Sequence, residues 1–323
     1  MKYRITHRTT YIYAQPVTVS QHAARVFPIH MTGQRCSRFT LHITPDPSRK
    51  KSRVDYFGNT VNFFSIQEIH HELEIISVSE VEVTIPPCPK PPESPPFEEV
   101  LALFRDPVSP DQCESYQYVF DSPFVRGFPE LAAYAAESFP KGTPLLDGVF
   151  DLNHRIHKDF AFDSKATTIS TPLEEVWQNR RGVCQDFAHL GIACLRSLGL
   201  PARYVSGYLR THPPAGKPRL VGADASHAWF AAYCPQTGWV EFDPTNDVIP
   251  SFEHIRVAYG RDFSDVSPVM GIVTGGGKQI VRVGVDVEPL GETTPAPVAE
   301  PEPIPEEVPV PEETEISPQE SEI

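Results

Sequence analysis

The stretch from Arg181 to Gly199 constrains the fold more than any other part of the chain. From Phe187 onward its apolar side chains, Phe187, Leu190, Cys194, Leu195 and Leu198, recur at helical spacing and form one stripe. Gly199 can take the left-handed cap, and Pro201 prevents the helix from continuing. At the other end, a Gly-Val-Cys step places Cys184 at or just before the first turn. Unpaired backbone N–H groups and the positive end of the helix dipole favour a thiolate there. The helix therefore presents a thiol at its start and buries the rest of its length. A single cysteine in such a stripe is more often core than chemistry, so a functional reading depends on its partners.

Two partners follow within sixty residues. Ser226–Cys234 reads as a strand carrying His227, and Gly238–Asp243 reads as a strand ending in Asp243. A cysteine nucleophile needs an imidazole to take its proton, and the imidazole needs a carboxylate or amide to fix its tautomer. The order Cys, His, Asp at this short spacing matches neither the papain and cathepsin pattern nor that of the caspases.

Four motifs occur in sequence: Arg-Gly-Val-Cys-Gln-Asp-Phe-Ala-His (181–189), Gly-Leu-Pro-Ala-Arg-Tyr-Val-Ser-Gly-Tyr-Leu (199–209), Ser-His-Ala-Trp (226–229) and Gly-Trp-Val-Glu-Phe-Asp-Pro-Thr (238–245). In this order they resemble the bacterial branch of the transglutaminase-like superfamily, most strongly over 160–250. The opening Tyr3–His7 and Tyr11–Tyr13 resemble the β-rich region that often precedes that core, and Tyr259–Pro268 resembles the segment that often follows it. The resemblance implies a papain-like α+β core with Cys184, His227 and Asp243 as its catalytic set. It does not choose a reaction, because the superfamily includes transglutaminases, proteases and amidases.

The net charge of −14 is misleading as a clue to partners. Residues 286–323 hold twelve Asp or Glu and no Lys or Arg, which leaves 28 basic against 30 acidic residues elsewhere. The folded part is thus near neutral, and neither nucleic acid nor an anionic membrane is indicated as a partner. No apolar run reaches the length of a membrane span, and the N-terminus alternates like a strand. Six scattered cysteines without metal-type spacing suit reduced thiols in the cytoplasm.

The alternating pattern of 1–85 predicts a β-rich N-terminal domain, a small β-sandwich. Pro86–Pro96, with seven prolines in eleven residues, reads as a semi-rigid linker. Residues 97–287 form the expected catalytic domain, helical at first, with 251–270 irregular and a last strand over Lys278–Val287. Thr171-Pro172 with Glu174 reads as a helix start. The Pro/Glu-rich segment 288–323 cannot bury enough apolar surface to offset ordering entropy and is expected to be a disordered tail. The loop 211–222, just before His227, is expected to form one wall of the cleft.

The fold expected is α+β: a β-sandwich, then a transglutaminase-like (papain-like) core with the catalytic helix packed on an antiparallel sheet. Gln178, six residues before Cys184, is a candidate oxyanion-hole donor beside the Cys184 amide, or else a solvated residue at a helix end. Arg180 and Arg181 could steer a carboxylate but read first as a solvated basic pair, and His189 reads as a histidine of the core or one that supports the site from behind. The expected function is acyl transfer on a peptide or protein substrate without cofactor or metal. Hydrolysis is preferred, since water is always present and no amine-binding cleft is identified. Transamidation, or a non-catalytic binding module on the same fold, are the alternatives. Period-two geometry adds a test: His227 and Asp243 share a face only if the 226–243 hairpin pairs in an even register. The expected form pairs His227 directly with Asp243 around a five-residue loop, Tyr233–Thr237.

Overall fold

The computed structural model describes residues 1–105, 109–211, 225–291 and 306–307. The expected cleft wall at 211–222 and the expected disordered tail lie almost entirely outside them.

The first layer is an eight-stranded antiparallel sheet that curls around one long strand, β1 (Lys2–Ala24). Its N-terminal half lies beside β5 (His70–Val83), which in turn pairs with β2 (Gln34–Thr44). Its C-terminal half lies beside β4 (Thr60–Ile66), which pairs with β3 (Arg49–Val54). Register shifts between Ile12 and Val17 and between Val17 and Val19 mark the bend where β1 changes partners. Extra residues of this kind increase local twist, so one strand can serve two faces of a curled sheet. Alternation along β1 and β5 sends Tyr3, Ile5, Leu73, Ile75, Val81 and Val83 inward.

The chain then crosses the proline run, whose second half docks onto the helices. Leu145 N donates to Pro95 O (2.8 Å), and Leu146 N donates to Ser94 Oγ (2.9 Å). The helical layer contains α1 (Phe97–Arg105), α2 (Pro110–Tyr116), α3 (Pro129–Ala136) and α4 (Leu145–Asp159). Short strand β6 (Ala161–Phe162), helix α5 (Leu173–Asn179) and short strand β7 (Arg181–Gly182) lead into α6 (Cys184–Ser197). Helix α5 starts one residue later than the sequence suggests, with Pro172 in the capping position. Thr171 instead closes its own turn, its Oγ1 accepting from Thr168 N (2.9 Å).

Helix α6 lies on the second sheet, in the order β10 (Gly238–Phe242), β9 (Ala225–Cys234), β8 (Ala202–Leu209), β11 (His254–Gly260). One core joins the helices to the sheet face bearing Ala228, Phe230, Ala232, Val240 and Phe242. Helix and sheet approach closely at Gly191, where a β-carbon would stand 2.6 Å from the Phe230 ring. Glycine is therefore required at this helix–strand crossing.

After α7 (Phe263–Val266) the chain leaves this sheet. Strands β12 (Val269–Gly275) and β13 (Gln279–Pro289) return to β1, with Tyr3 opposite Pro289 and Ala24 opposite Val269. The two-residue β14 (Glu306–Glu307) extends the same sheet beside β13. Backbone pairing thus departs from the expected 97–287 unit: the strand read over Lys278–Val287 belongs to the N-terminal sheet. Its apolar face explains why, since Val285 and Val287 bury with Tyr3, Ile5, Val81 and Val83.

Candidate active site

The hairpin β9–β10 adopts the even register. Phe230 pairs with Phe242, Ala231 with Glu241 and Tyr233 with Trp239. His227, Trp229 and Ala231 consequently share a face with Trp239, Glu241 and Asp243. The pairing is shifted by two residues from the expected one, so Asp243 lies diagonal to His227. The loop is shorter than expected because Gly238, at φ +81°, takes the left-handed position that closes a three-residue turn over 235–237.

Cys184 opens α6 and is half-buried. The turn in front of it is pinned by Asp186, whose carboxylate accepts Val183 N–H (2.8 Å) and Thr167 Oγ1–H (2.6 Å). Gly182 is needed for this arrangement, since a β-carbon there would stand 2.6 Å from the Asp186 carboxylate. The carboxylate leaves the Cys184 amide, at the first helical position, without an intrahelical acceptor.

His227 bridges the thiol and the carboxylate. Its Nε2 donates to Asp243 Oδ2 at 2.8 Å, and its side chain also hydrogen-bonds Cys184. With Nε2 committed to Asp243, Nδ1 is the ring nitrogen left for the sulfur. Burial works against a charged imidazole here. The Asp243 charge, the Asp243 hydrogen bond and the Cys184 contact outweigh it and push His227 up to about 10. Its carboxylate partner responds in the opposite sense. Burial would raise Asp243, but the His227 charge and the hydrogen bonds from His227 and His254 hold it well below the usual carboxylate range. The folded site is thus built for an imidazolium beside the sulfur.

Asp243 has no exposure, and every acceptor position on it is used. Oδ1 accepts the backbone N–H groups of Thr245 (2.9 Å) and Asn246 (3.2 Å), and Oδ2 accepts Asn246 Nδ2 (2.7 Å). Helix α4 clamps the same loop. His154 Nδ1 and Asn153 Nδ2 contact the Asp247 carboxylate at 2.7 and 3.2 Å, and His157 Nδ1 lies 3.0 Å from Thr245 O. Asp247 sits at φ +54°, in the left-handed region.

A second histidine, which the sequence did not reveal, completes the centre. His254, at the start of β11, points Nε2 at Asp243 Oδ2 (3.0 Å). Below it, Glu241 accepts from Trp229 Nε1 (2.9 Å), Arg256 Nε (2.9 Å) and Tyr259 Oη (3.2 Å). His227, Asp243 and His254 bring three atoms of metal-ligand type within 4.8 Å of one another. The two His–Asp separations are hydrogen-bond lengths, and protons on the imidazoles account for the convergence.

Gln178 stands apart from this cluster: it is exposed on the last turn of α5. Arg180 is not a free solvated cation. At φ +53° it caps α5, with its guanidinium 3.6 Å from the centre of the Trp177 ring. Arg181 lies 3.8 Å from Asp163. His189 is a core residue, stacked on Phe124 and accepting Phe263 N–H (3.2 Å), and burial lowers it to about 4.

A thiol at a helix start, an imidazole on the adjacent sheet and a buried carboxylate define the cysteine-centred α+β class. The comparisons give the family. Residues 3–82 match the bacterial transglutaminase-like N-terminal region, and residues 132–244 match the transglutaminase-like superfamily. An uncharacterized protein of Mycobacterium tuberculosis (strain H37Rv) is 40% identical over 293 residues, 89% of this chain and 93% of that protein. The chain belongs to the transglutaminase-like superfamily. A Pseudomonas aeruginosa protein named protein-glutamine gamma-glutamyltransferase is 36% identical over 97 residues, 29% of this chain and 14% of that one. The crystal structure of a candidate cysteine protease from Cytophaga hutchinsonii superposes with a TM-score of 0.67 at 21% identity, covering 91% of this chain and 93% of that one. Among the described residues, no helix is long and apolar enough to cross a membrane.

Proposed function

We propose that the protein is a cysteine-dependent acyl-transfer enzyme that hydrolyses peptide or carboxamide bonds. The observation that carries this reading is the continuous line Cys184–His227–Asp243, in which one buried imidazole bonds both the thiol and a carboxylate with no exposure. A binding module has no use for a protonated imidazole beside a thiol.

The thiolate attacks the carbonyl carbon, and the carbonyl oxygen becomes an oxyanion. The Cys184 backbone N–H is the donor that would face that oxygen, and Gln178, exposed on the last turn of α5, is kept only as a candidate second donor. Imidazolium His227 then gives its proton to the leaving amine, and the C–N bond breaks to leave a thioester and a neutral imidazole. His227 next takes a proton from water. The resulting hydroxide equivalent displaces the sulfur and regenerates the thiolate–imidazolium pair. Asp243 keeps the ring oriented and stays ionised throughout.

Transamidation is the second reading, favoured by the Pseudomonas relative over the core segment. In that case a primary amine replaces water in the second half. Incubation of the protein with peptide pools, with and without a primary amine, followed by mass spectrometry, separates the two. Cleaved or deamidated peptides are expected, and amine adducts as the main product would favour transamidation. No product in either arm, with the same result for Cys184→Ala, would refute an enzymatic role. The six cysteines are scattered along the chain at spacings that suggest no disulfide framework, and on that ground we propose a cytoplasmic setting.

A further inference from the structure

We propose that His254 is a positioning residue of this site: it shares the Asp243 carboxylate with His227 and thereby sets how tightly His227 holds its proton. The proposal rests on the cysteine-enzyme reading above and assigns a role that the Cys–His–Asp set leaves open.

Three donors converge on Asp243 Oδ2: Asn246 Nδ2 at 2.7 Å, His227 Nε2 at 2.8 Å and His254 Nε2 at 3.0 Å. Two of them are imidazoles, but they are not equivalent. His227 is raised, whereas burial lowers His254 despite its bond to Asp243. His254 is therefore the neutral ring, with its proton on Nε2, and its buried Nδ1 has no hydrogen-bond partner among the described residues. That unpartnered nitrogen fixes the tautomer, because moving the proton to Nδ1 would forfeit the carboxylate bond without gaining another. The ring has little freedom to leave. It is buried, packs edge-on against Trp229 (5.2 Å between centroids) and stands 6.1 Å from His227.

The consequence follows from electrostatics. Asp243 Oδ1 is held by two backbone N–H groups, and Oδ2 is also held by Asn246, so the carboxylate stays in place without His254. What His254 changes is the share of negative charge that faces His227. A neutral donor on Oδ2 draws off part of that charge and weakens the hold on the imidazolium. His227 must surrender its proton to the leaving amine, and an Asp243 carboxylate without the His254 bond would hold that proton more tightly.

The placement of His254 comes from the N-terminal sheet. Two residues further along β11, Gln34 accepts Arg256 N–H through Oε1 (2.8 Å) and donates Nε2 to Arg256 O (2.7 Å). Asn59 makes the equivalent pair with Tyr259: its Oδ1 accepts Tyr259 N–H (2.8 Å), and its Nδ2 donates to Tyr259 O (2.7 Å). Two amide side chains thus act as a substitute neighbouring strand for the free edge of β11.

The test uses the full chain. In a Cys184→Ser background, the titration of His227 reports Asp243 without the thiolate. It is followed by NMR of carbon-13-labelled histidine, with the His227 signal identified by its loss in H227Q. His254→Leu is expected to raise the His227 midpoint by about one pH unit. His254→Gln, whose amide nitrogen can stand where Nε2 stands, is expected to leave the midpoint nearly unchanged, whereas the shorter His254→Asn behaves as Leu. If the Leu variant does not fold, the Gln and Asn pair decides. A folded Leu or Asn variant with an unchanged or lowered midpoint would overturn the proposal, as would a Gln variant that shifts as Leu does. Iodoacetamide labelling of the chain with Cys184 intact separates this from failure of the site reading. Fast Cys184 labelling that H227A abolishes, combined with an unmoved midpoint in the His254 variants, overturns only the role of His254. Labelling that H227A leaves unchanged overturns both.

Discussion

The pair beneath the site offers the sharpest energetic test. Arg256 is 2% exposed, and its guanidinium satisfies Glu241 at 2.9 Å together with the carbonyls of Pro250, Ser251 and His254. Replacing it with methionine keeps most of the side-chain volume but leaves the Glu241 carboxylate, itself only 10% exposed, without its cation. Breaking a buried pair from one side costs about 3–5 kcal/mol, chiefly the burial of the uncompensated charge. The orphaned carbonyls add roughly 1 kcal/mol each where water cannot reach them. An overall loss of about 4–8 kcal/mol is therefore expected for R256M, according to how many of the three carbonyls water reaches, read by urea denaturation.

The sign of the second substitution is more diagnostic than the first. Glu241→Gln removes the charge yet keeps an acceptor for Trp229 Nε1, while its amide NH2 can donate to Tyr259 Oη, which then acts as the acceptor. In the wild type E241Q should destabilise the protein by breaking the pair, whereas added to R256M it should recover about 2 kcal/mol. The loss in R256M should also shrink on acidification. Arg256 outweighs burial and lowers Glu241 in the folded wild type. Without Arg256, burial is opposed only by the Trp229 bond and the Arg203 charge and is expected to raise it, so the penalty is full above the raised folded value, fades as pH falls below that value and is gone below the unfolded one. Additive losses in the double variant, or an R256M cost below about 1 kcal/mol, would refute the view that this pair is a coupled electrostatic unit.

Three further outcomes are expected. Cys184 should alkylate faster than the other five thiols at neutral pH in limited iodoacetamide labelling read by peptide mapping, because Cys36 and Cys194 are raised by burial and only Cys184 bonds His227; labelling led by exposed Cys88 or Cys113 would count against the site. Gly191→Ala should lower stability by about 1–2 kcal/mol in thermal or urea unfolding despite its gain in helix propensity, since the added carbon meets Phe230; a stabilised variant would show that the crossing can relax. His227 rises from 6.5 to about 10 on folding, so its stabilisation is complete below pH 6.5 and is lost as pH rises toward 10; the stability advantage of wild type over His227→Gln should therefore narrow across that window in urea titrations, and a constant difference would contradict the raised value.

How far the sequence reveals this molecule depends on which faces of each element meet water. Helix α6 is legible because its stripe and its stop signals are local, and β9 with β10 is legible because only the even register keeps charge out of the apolar face. The loop is shorter than expected because Gly238 does both jobs: it begins β10, as the sequence suggests, and its left-handed conformation closes the turn. Strand β11 escaped entirely and was read as irregular. Its residues are buried on both faces, so His254, Ile255, Arg256, Val257 and Ala258 show no alternation, and two of the five are polar. The pattern that identifies a half-wet strand is erased once both faces are covered, and the covered strand is the one that carries His254. Asp186 was within reach: an acidic residue three positions after the helix cap is the acidic half of a capping box. Asn246 likewise follows Asp-Pro-Thr, a composition suited to a turn that folds back on its own carboxylate.

The same strand explains why the N-terminal sheet is more than an appendage to the core. A four-stranded sheet with β11 at its edge would expose a row of unpaired backbone groups, a liability for any free-standing domain. Here the edge is closed by side chains: Gln34 pairs with both backbone groups of Arg256, and Asn59 with both of Tyr259. Between them the strand bulges, as the register shift between Arg256 and Ala258 shows, so no regular partner strand could follow it. Amide side chains tolerate that irregularity because each pairs with only one residue of β11. Apolar packing reinforces the join, with Ile255 and Val257 of β11 and Tyr208 of β8 lying against Tyr3, Ile5, Val81 and Val83. The chain then returns through β12 and β13 to pair with the strand on which it began. The curled sheet therefore holds β11 from the side, β11 holds His254 and Arg256, and those two residues hold Asp243 and Glu241. The route from the N-terminal region to the candidate site runs through hydrogen bonds at every step.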